Sequence, residues 1–242
     1  MTILKNQLAL VTGASGGIGS AISAALIQQA ATIIMVGRDK TRLEAAAEGL
    51  RAATQSIETY PFDLTRDNEA EGLCAQIAGK YGRLDILVHC AGVIDHGRLA
   101  DAPLLSLDRQ YHANVRGPLL LTQRLLPMLK KPRGQIVFIN SSAGLNARSN
   151  AGHFSATQHA FKALADALRE EVNPDGIRVL SVFPGRTATR RISLLHSKEG
   201  RSFQPELLLQ PEDIASVVVN ALSLPWTAEV TNITIRPMQK SY

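Results

Sequence analysis

Short β-branched runs alternate with longer amphipathic stretches along this whole chain, and this rhythm constrains the fold more than any other feature. Parallel strands can be joined only through a crossover, usually a helix, so such alternation is the signature of βαβ units around a parallel sheet. The runs are nearly continuous in apolar residues, as strands covered on both faces are. The pattern predicts an α/β fold with a doubly wound, mostly parallel sheet of seven strands and helices on both faces.

The predicted strands occupy residues 8–12, 32–37, 56–62, 84–90, 135–140, 177–183 and 230–235. The predicted helices occupy residues 17–29, 40–53, 66–81, 106–130, 154–172 and 211–223, the fourth with a break inside it. No linker interrupts the rhythm, so residues 1–242 are expected to form a single domain. Residues 186–210 are the only long irregular insertion, and we expect this segment, called the flap below, to lie near the ligand crevice.

Composition and charge exclude several classes of protein. The first residues lack the features of a signal peptide and no window is apolar enough for a membrane span, which favours a cytoplasmic protein without membrane contact. The net charge of +5 does not indicate nucleic-acid binding, because no recognised module accompanies it. Cations cluster only in the flap, around Glu199. This cluster is either part of a solvated loop or a contact for an anionic ligand. It consists of Arg186, Arg190, Arg191, Lys198 and Arg201.

Two cysteines, Cys74 and Cys90, lie in a predicted helix and a predicted buried strand. Free thiols are therefore expected rather than a disulfide, and neither cysteine indicates a metal site. A reactive thiol at Cys90 is the alternative to a small buried residue.

A glycine-rich turn connects the first strand to the first helix. Residues 12–19 read Thr-Gly-Ala-Ser-Gly-Gly-Ile-Gly. Glycines let the backbone turn tightly and approach a diphosphate, whose charge is met by free N–H groups and the positive end of the helix. In this position the turn is typical of Rossmann-type dinucleotide binding, with a purely structural turn as the alternative.

Several spaced motifs together resemble the short-chain dehydrogenase/reductase family along essentially the whole chain. They are the TGASGGIG loop, Asp63 in PFDLT, Ala91-Gly92, Asn114 in NVRGP, Ser141-Ser142 and Pro184-Gly185. The resemblance implies a nicotinamide dinucleotide cofactor held by Gly13, Ser15, Gly16, Gly17, Ile18, Gly19, Asp63, Leu64, Ala91, Gly92, Pro184, Gly185, Thr187 and Thr189. Of these, Asp63 and Leu64 would border the adenine. The family's Asn before Ala-Gly is replaced by His89-Cys90, so some hydrogen bonding is expected to be lost there.

The end of the second strand favours NADP(H) over NAD(H). An acid at this place accepts from the ribose 2′-hydroxyl and repels a 2′-phosphate, but the chain has Gly37 followed by Arg38. Arg38 stands before a helix N-terminus, whose positive dipole end repels a cation. This placement is favourable if an anion lies between the Arg38 guanidinium and the helix. The alternatives are an exposed Arg38 beside an Asp39 that caps the next helix, or a register shift that lets Asp39 hold the ribose.

The family's proton-transfer pair is missing. Family members place a Tyr thirteen residues after the Ser and a Lys four residues later, which here gives Phe154 and Gln158 counted from Ser141. Neither side chain exchanges a proton at neutral pH. Asn114 and Ser141 remain at the family's other two catalytic positions, with Ser142 in place of Ser141 if the turn shifts by one.

Three groups could relocate the proton donor. Lys162 lies one helical turn after Gln158 and could lean back toward the site. His153 and His159 adjoin the replaced positions but are rotated by about 100°, which favours surface or packing roles.

Two functions follow from this site. The first is an NADP(H)-dependent oxidoreductase for a small carbonyl or secondary alcohol substrate, severely impaired by its degenerate active site. The second is a non-catalytic NADP(H)-binding sensor or scaffold subunit that pairs with an active relative. The resemblance also implies a homodimer or homotetramer, and it indicates no metal.

Overall fold

The computed structural model describes residues 4–51 and 56–239. Its strands are β1 (Leu8–Thr12), β2 (Thr32–Gly37), β3 (Ile57–Pro61), β4 (Ile86–His89), β5 (Gln135–Ile139), β6 (Arg178–Pro184) and β7 (Asn232–Ile235). Its α-helices are α1 (Gly17–Gln28), α2 (Lys40–Arg51), α3 (Asp67–Tyr81), α4 (Leu104–Tyr111), α5 (Gly117–Lys130), α6 (Gly152–Val172), α7 (Arg190–Lys198) and α8 (Pro211–Leu222).

The seven strands form one sheet in the order β3-β2-β1-β4-β5-β6-β7, and every neighbouring pair is parallel. The chain order reverses direction between β1 and β4, so a crevice opens at the carboxyl ends of these two strands. In open parallel sheets a ligand binds at such a switch point. The predicted fold class is confirmed.

Alternate strand residues feed two separate apolar cores, one on each face of the sheet. Leu8 and Leu10 of β1 pack on the face covered by α3, α5 and α6. Ala9 and Val11 pack on the other face, which α1, α2 and α8 cover. This two-sided burial is the physical reason for the continuous apolar runs.

The predicted break in the fourth helix is a π-helical segment at His112–Arg116 between α4 and α5. Pro118 follows at the second position of α5. Because proline has no N–H, it cannot donate to the carbonyl of Asn114 four residues earlier, and the wider i→i+5 pattern takes over locally. The break therefore places Asn114 in an irregular turn.

Three sequence predictions need correction. The flap is not irregular, because it contains α7 and a 3₁₀ turn at Pro205–Leu207. The two edge strands are not buried on both faces, because only Ile57 of β3 is buried and β7 alternates between exposed and half-buried residues. The other predicted strands and helices are found with ends shifted by one or two residues, and the predicted end of the second helix at 52–53 lies outside the described residues.

No helix within the described parts of the chain is long and apolar enough to span a bilayer.

Candidate functional site

The glycine loop lies directly on the turn that follows β4. Gly13 has φ +68°, and a Cβ on it would lie 2.8 Å from the Cα of Ala91. A side chain is therefore excluded by both conformation and space. Gly16 precedes α1 without a side-chain cap, and the first turn of α1 contains no acid. The N–H groups at this helix start are thus available to an anion, which fits a diphosphate.

Thr12 holds the turn that follows β4. Its Oγ1 accepts hydrogen bonds from the backbone N–H groups of Cys90 at 3.0 Å and Ala91 at 3.2 Å. His89 keeps one further bond, between Nε2 and Thr122 Oγ1 at 2.7 Å, while its buried Nδ1 has no partner. The expected loss of hydrogen bonding is therefore partial, and Thr12 is a residue that the sequence analysis missed.

Burial keeps the titratable groups of this turn neutral. It lowers the pKa of His89 to about 3 and raises the pKa of the Cys90 thiol to about 12. A thiol with such a pKa is a poor nucleophile at neutral pH. Both cysteines are free, as predicted, and the structure favours the packing role for Cys90.

Residue 37, at the end of β2, is a glycine and therefore places no carboxylate beside a bound ligand. A Cβ on Gly37 would lie 3.2 Å from the Oγ of Ser15 and from Cδ1 of Leu43, so a larger residue would require these two side chains to shift slightly. Asp39 Oδ1 accepts from the N–H of Arg42 at 3.0 Å and so caps α2, which is one of the alternatives left open above. Arg38 is exposed at the mouth of the crevice.

Arg42 is a second basic residue here that the sequence analysis missed. Its Nη2 lies 3.5 Å from the carbonyl oxygen of Ser15, at the limit of a hydrogen bond. The sequence contained an indication of this contact, since Arg42 lies about one helical turn after Arg38 and in the first turn of the helix that Asp39 caps.

Asp63 and Leu64 lie in the turn after β3. Asp63 Oδ1 accepts from Thr65 N at 2.9 Å and Thr65 Oγ1 at 2.8 Å. The backbone of Leu64 lies so close to Gly117 that a side chain at residue 117 would clash with its carbonyl oxygen. The turn is thereby seated on the start of α5.

Two side chains that the sequence analysis did not name connect the segments that contain Asn114, Ser141, Phe154 and Gln158. Asn140 donates from Nδ2 to the carbonyl oxygen of Gln158 at 3.0 Å and accepts at Oδ1 from Ser141 N at 2.7 Å. Thr157 Oγ1 accepts from Asn114 Nδ2 at 3.1 Å and donates to the carbonyl oxygen of Phe154 at 2.8 Å. Asn140 and Thr157 thus tie the loop after β5 and the π-helical turn to α6.

Ser141 and Asn114 are already engaged by the backbone. Ser141 Oγ accepts from Ala143 N at 3.1 Å, which leaves its hydroxyl proton free to donate. Asn114 exchanges two hydrogen bonds with the backbone of Val93, at 2.7 and 2.9 Å. Ser141 is therefore positioned to polarise a carbonyl oxygen, but a serine hydroxyl without a base is a weak acid.

Two of the three proposed relocated donors are bound elsewhere. Lys162 Nζ pairs with Asp166, one turn further from Gln158. The ring of His159 contacts the carbonyl oxygen of Ser155 through Nδ1 at 2.8 Å. His153 is buried and lines a pocket with Asp95, His96 and Ser106. Lys162 and His159 therefore do not replace the missing phenol in this structure, whereas His153 stays a candidate.

The flap begins directly over the first residue of α1. Thr189 caps α7 by accepting from Ile192 N at 3.3 Å, and a Cβ on Gly17 would lie 2.9 Å from its Cγ2. Thr187 is buried and donates to the carbonyl oxygen of Gly185 at 3.1 Å. The flap therefore adjoins the glycine loop.

An ion-pair network fastens the flap across the crevice. Glu199 accepts from Arg186 at 2.9 Å and contacts His96 Nδ1, in the segment between β4 and α4, also at 2.9 Å. Burial opposes ionisation of Glu199, but the hydrogen bonds and charges of Arg186 and His96 outweigh it and lower the pKa of this carboxyl. Arg201 pairs with the same carboxylate at 3.5 Å. Arg186 and Arg201 are thus internal partners of Glu199.

No group of three or more His, Cys, Asp or Glu side chains in the described ranges could hold a metal ion.

Residues 7–200 match the family model described as short chain dehydrogenase. The chain belongs to this family. An uncharacterized oxidoreductase from Staphylococcus aureus is 30% identical over 98% of this chain and 100% of its own length. One from Staphylococcus epidermidis is 31% identical over the same shares. The family resemblance stated from the motifs is confirmed.

Solved structures of similar chains contain the phosphorylated cofactor. A short chain dehydrogenase from Shigella flexneri complexed with NADP has a TM-score of 0.87 and 28% identity, covering 97% of this chain and 99% of that one. A short chain dehydrogenase from Escherichia coli complexed with NADPH has the same TM-score and identity, covering 97% and 98%. The chain is thus a short chain dehydrogenase-type oxidoreductase with NADP-complexed structural neighbours.

Proposed function

We propose that this protein binds NADP(H) in preference to NAD(H) and carries out carbonyl reduction or alcohol oxidation only very slowly. The proposal is carried by the residues that counting from Ser141 puts in place of the family's Tyr and Lys: Phe154 and Gln158 have no group that titrates near neutral pH, although hydrogen bonds from Asn140 and Thr157 tie their backbone to Ser141 and Asn114. Packing is retained and proton transfer is lost. This combination favours a holder of the nucleotide over an efficient catalyst.

The chemistry of the site explains the expected rate. The nicotinamide supplies or accepts a hydride when it is bound, and the protein must supply the proton to the resulting alkoxide. In this chain Ser141 can donate a hydrogen bond to the oxygen, but Phe154 has no phenol and Gln158 has no ammonium group. General acid–base catalysis is typically worth about 10²–10⁴-fold, so positioning alone leaves slow turnover.

The preference for NADP(H) is supported by the residues at the end of β2. Gly37 carries no carboxylate to repel a 2′-phosphate, and Arg38 and Arg42 place two cations at that edge of the crevice. Guanidinium groups match phosphate oxygens through paired hydrogen bonds. The NADP complexes of the structural neighbours agree with this choice.

Titration of NADPH fluorescence tests the cofactor. We expect NADPH to bind more tightly than NADH, and Arg38→Ala to weaken NADPH by about 10–100-fold with little effect on NADH, because it removes a charge-assisted contact to the 2′-phosphate. Arg51→Ala, at the far end of α2 beside Glu44 and Glu48, is the matched control and should change neither. Equal affinity for the two cofactors in the wild-type protein would contradict the preference.

A carbonyl panel tests the chemistry. The wild-type protein should reduce every compound slowly and Ser141→Ala more slowly still, whereas Phe154→Tyr with Gln158→Lys should raise the wild-type rate by about 10²–10⁴-fold. Phe154→Tyr alone should gain less, since a phenol with a pKa near 10 needs the ammonium group. Wild-type turnover of about 1–10³ per second would refute the proposal.

The same observation favours a non-catalytic role as a sensor or scaffold subunit, because Phe154 and Gln158 can fill the site without supplying the phenol and the ammonium group. It differs in one measurable respect. A sensor or scaffold should bind NADPH without turnover and should bind a catalytically active relative of this chain differently in the presence and absence of NADPH, which sedimentation of the mixture would detect.

A further inference from the structure

Two arginine side chains flank the glycine loop, held by carbonyl oxygens and not by acids. Arg42 lies against the carbonyl of Ser15, and Arg191 donates from Nη2 to the carbonyl oxygen of Gly92 at 2.7 Å. Within the part of the chain that the structure describes, neither forms an ion pair with Asp or Glu. By contrast, Arg186, which lies in the flap like Arg191, forms an ion pair with Glu199.

Arg191 spans the crevice at its narrow point. Two residues before it, Thr189 lies against Gly17, the first residue of α1, whereas the Arg191 guanidinium reaches the turn after β4 at Gly92. A diphosphate bound at the N-terminus of α1 would lie in the interval between these two contacts. The side chain thus crosses the path of the cofactor in this structure.

The electrostatic surroundings of Arg191 favour an anion. Arg191 is an exposed residue, but the protein atoms around its guanidinium displace part of the water and so lower its pKa, and the charge of Arg42 lowers it further. The first turn of α7 contains Arg190 and Arg191 and no acid, so two cations stand at the positive end of a helix. An anion bound between α1 and α7 would offset the repulsion between these arginines and the opposition of Arg190 and Arg191 to the dipole of α7.

We propose that Arg191 binds the diphosphate bridge of the dinucleotide, exchanging the carbonyl oxygen of Gly92 for phosphate oxygens when the cofactor enters. The inference rests on the proposed function, since it requires a dinucleotide in the crevice. Arg38 and Arg42 stand at the β2 side, where the 2′-phosphate is proposed, and Arg191 stands at the β4 side. The two groups of cations therefore recognise different phosphates, and Arg191 serves NADP(H) and NAD(H) alike.

The test compares Arg191→Met with Arg191→Lys and with Arg190→Met, an exposed neighbour in the same helical turn. Dissociation constants are measured by fluorescence for NADPH and NADH, and by calorimetry for adenosine 2′-monophosphate, which has the 2′-phosphate but no diphosphate. We expect Arg191→Met to weaken both dinucleotides by the same factor of about 10–100, with partial recovery in Arg191→Lys. Arg190→Met, and Arg191→Met toward adenosine 2′-monophosphate, should show no change. Thermal melting establishes that each variant is folded.

Other outcomes overturn the inference in distinguishable ways. Unchanged dinucleotide affinity in Arg191→Met would mean that the guanidinium serves a substrate anion or no ligand. Tighter binding would mean that Arg191 competes with the cofactor for the crevice. Equal weakening of adenosine 2′-monophosphate would indicate a general structural effect. If the wild-type protein binds neither dinucleotide, the proposed function itself fails and this inference with it.

Discussion

His89 shows at the residue scale how a substitution near the cofactor crevice is accommodated. Its ring is fully buried at the end of β4, where it packs against Phe138 with ring centroids 5.1 Å apart and bonds Thr122 through Nε2. Thr12 secures the adjoining turn instead. A threonine on the neighbouring strand thus supplies the acceptor for the turn beside His89.

Because burial lowers the pKa of His89 to about 3, this residue should make stability depend on pH. Below about pH 6.5 the unfolded chain takes up a proton that the folded chain does not, so stability should fall as the pH is lowered from about 6.5 toward 3. Between pH 6.5 and pH 5 the loss should approach about 2 kcal/mol.

Urea unfolding of the wild-type protein and His89→Asn at pH 8, 6.5 and 5 measures this dependence. The difference in free energy of unfolding between the two proteins should be constant from pH 8 to about 7. At pH 5 the wild-type protein should have lost stability relative to His89→Asn. A difference that stays the same down to pH 5 would show that His89 is not the source.

At the element scale, the contact between the glycine loop and the β4 turn builds the crevice. Gly13 combines a left-handed conformation with backbone atoms of Ala91 in the space that a Cβ would need. By contrast, Gly72 lies in the middle of α3 with no atom within 4 Å of a Cβ. The two glycines therefore have different physical roles.

Gly13→Ala should lower the free energy of unfolding by more than about 1 kcal/mol and weaken NADPH binding, because strain and overlap displace the loop. Gly72→Ala, the matched control, should raise stability by about 0.5–1 kcal/mol and leave binding unchanged. Chemical denaturation with parallel NADPH titration measures both, and an unaffected Gly13→Ala would contradict the close approach.

At the scale of the whole molecule, the flap is joined to the rest by few but specific contacts. Glu199 links it to His96, and Arg191 links it to Gly92. Helix α4 exposes Leu104 and Leu105, which favours the expected association of subunits, and that association stays a prediction.

Glu199→Gln should loosen the flap at neutral pH, since it removes the charge that holds Arg186 and His96. Hydrogen exchange of residues 190–207 should become faster while exchange in the strands stays the same. Glu206→Gln, at an exposed acid of the same flap, is the control. Unaltered exchange in Glu199→Gln would show that apolar packing of α7 holds the flap instead.

The helix in the flap was missed from sequence because it is short and begins with two arginines that oppose the macrodipole. Its signal was nevertheless present, since Thr189 is a good capping residue and Ile192 and Leu195 lie three apart on one face. Burial of Leu195 and His196 against the rest of the protein stabilises it.

The sequence by itself determined the seven strands, the helices outside the flap, the glycine turn, and the absence of a phenol and an ammonium group at residues 154 and 158, because periodicity, backbone freedom and side-chain chemistry are local properties. Only the tertiary structure decided that Asn140 and Thr157 tie the site together and that Arg191 reaches Gly92, 99 residues away. Such contacts form where packed elements meet, and the residues near them in sequence carry no sign of the partner.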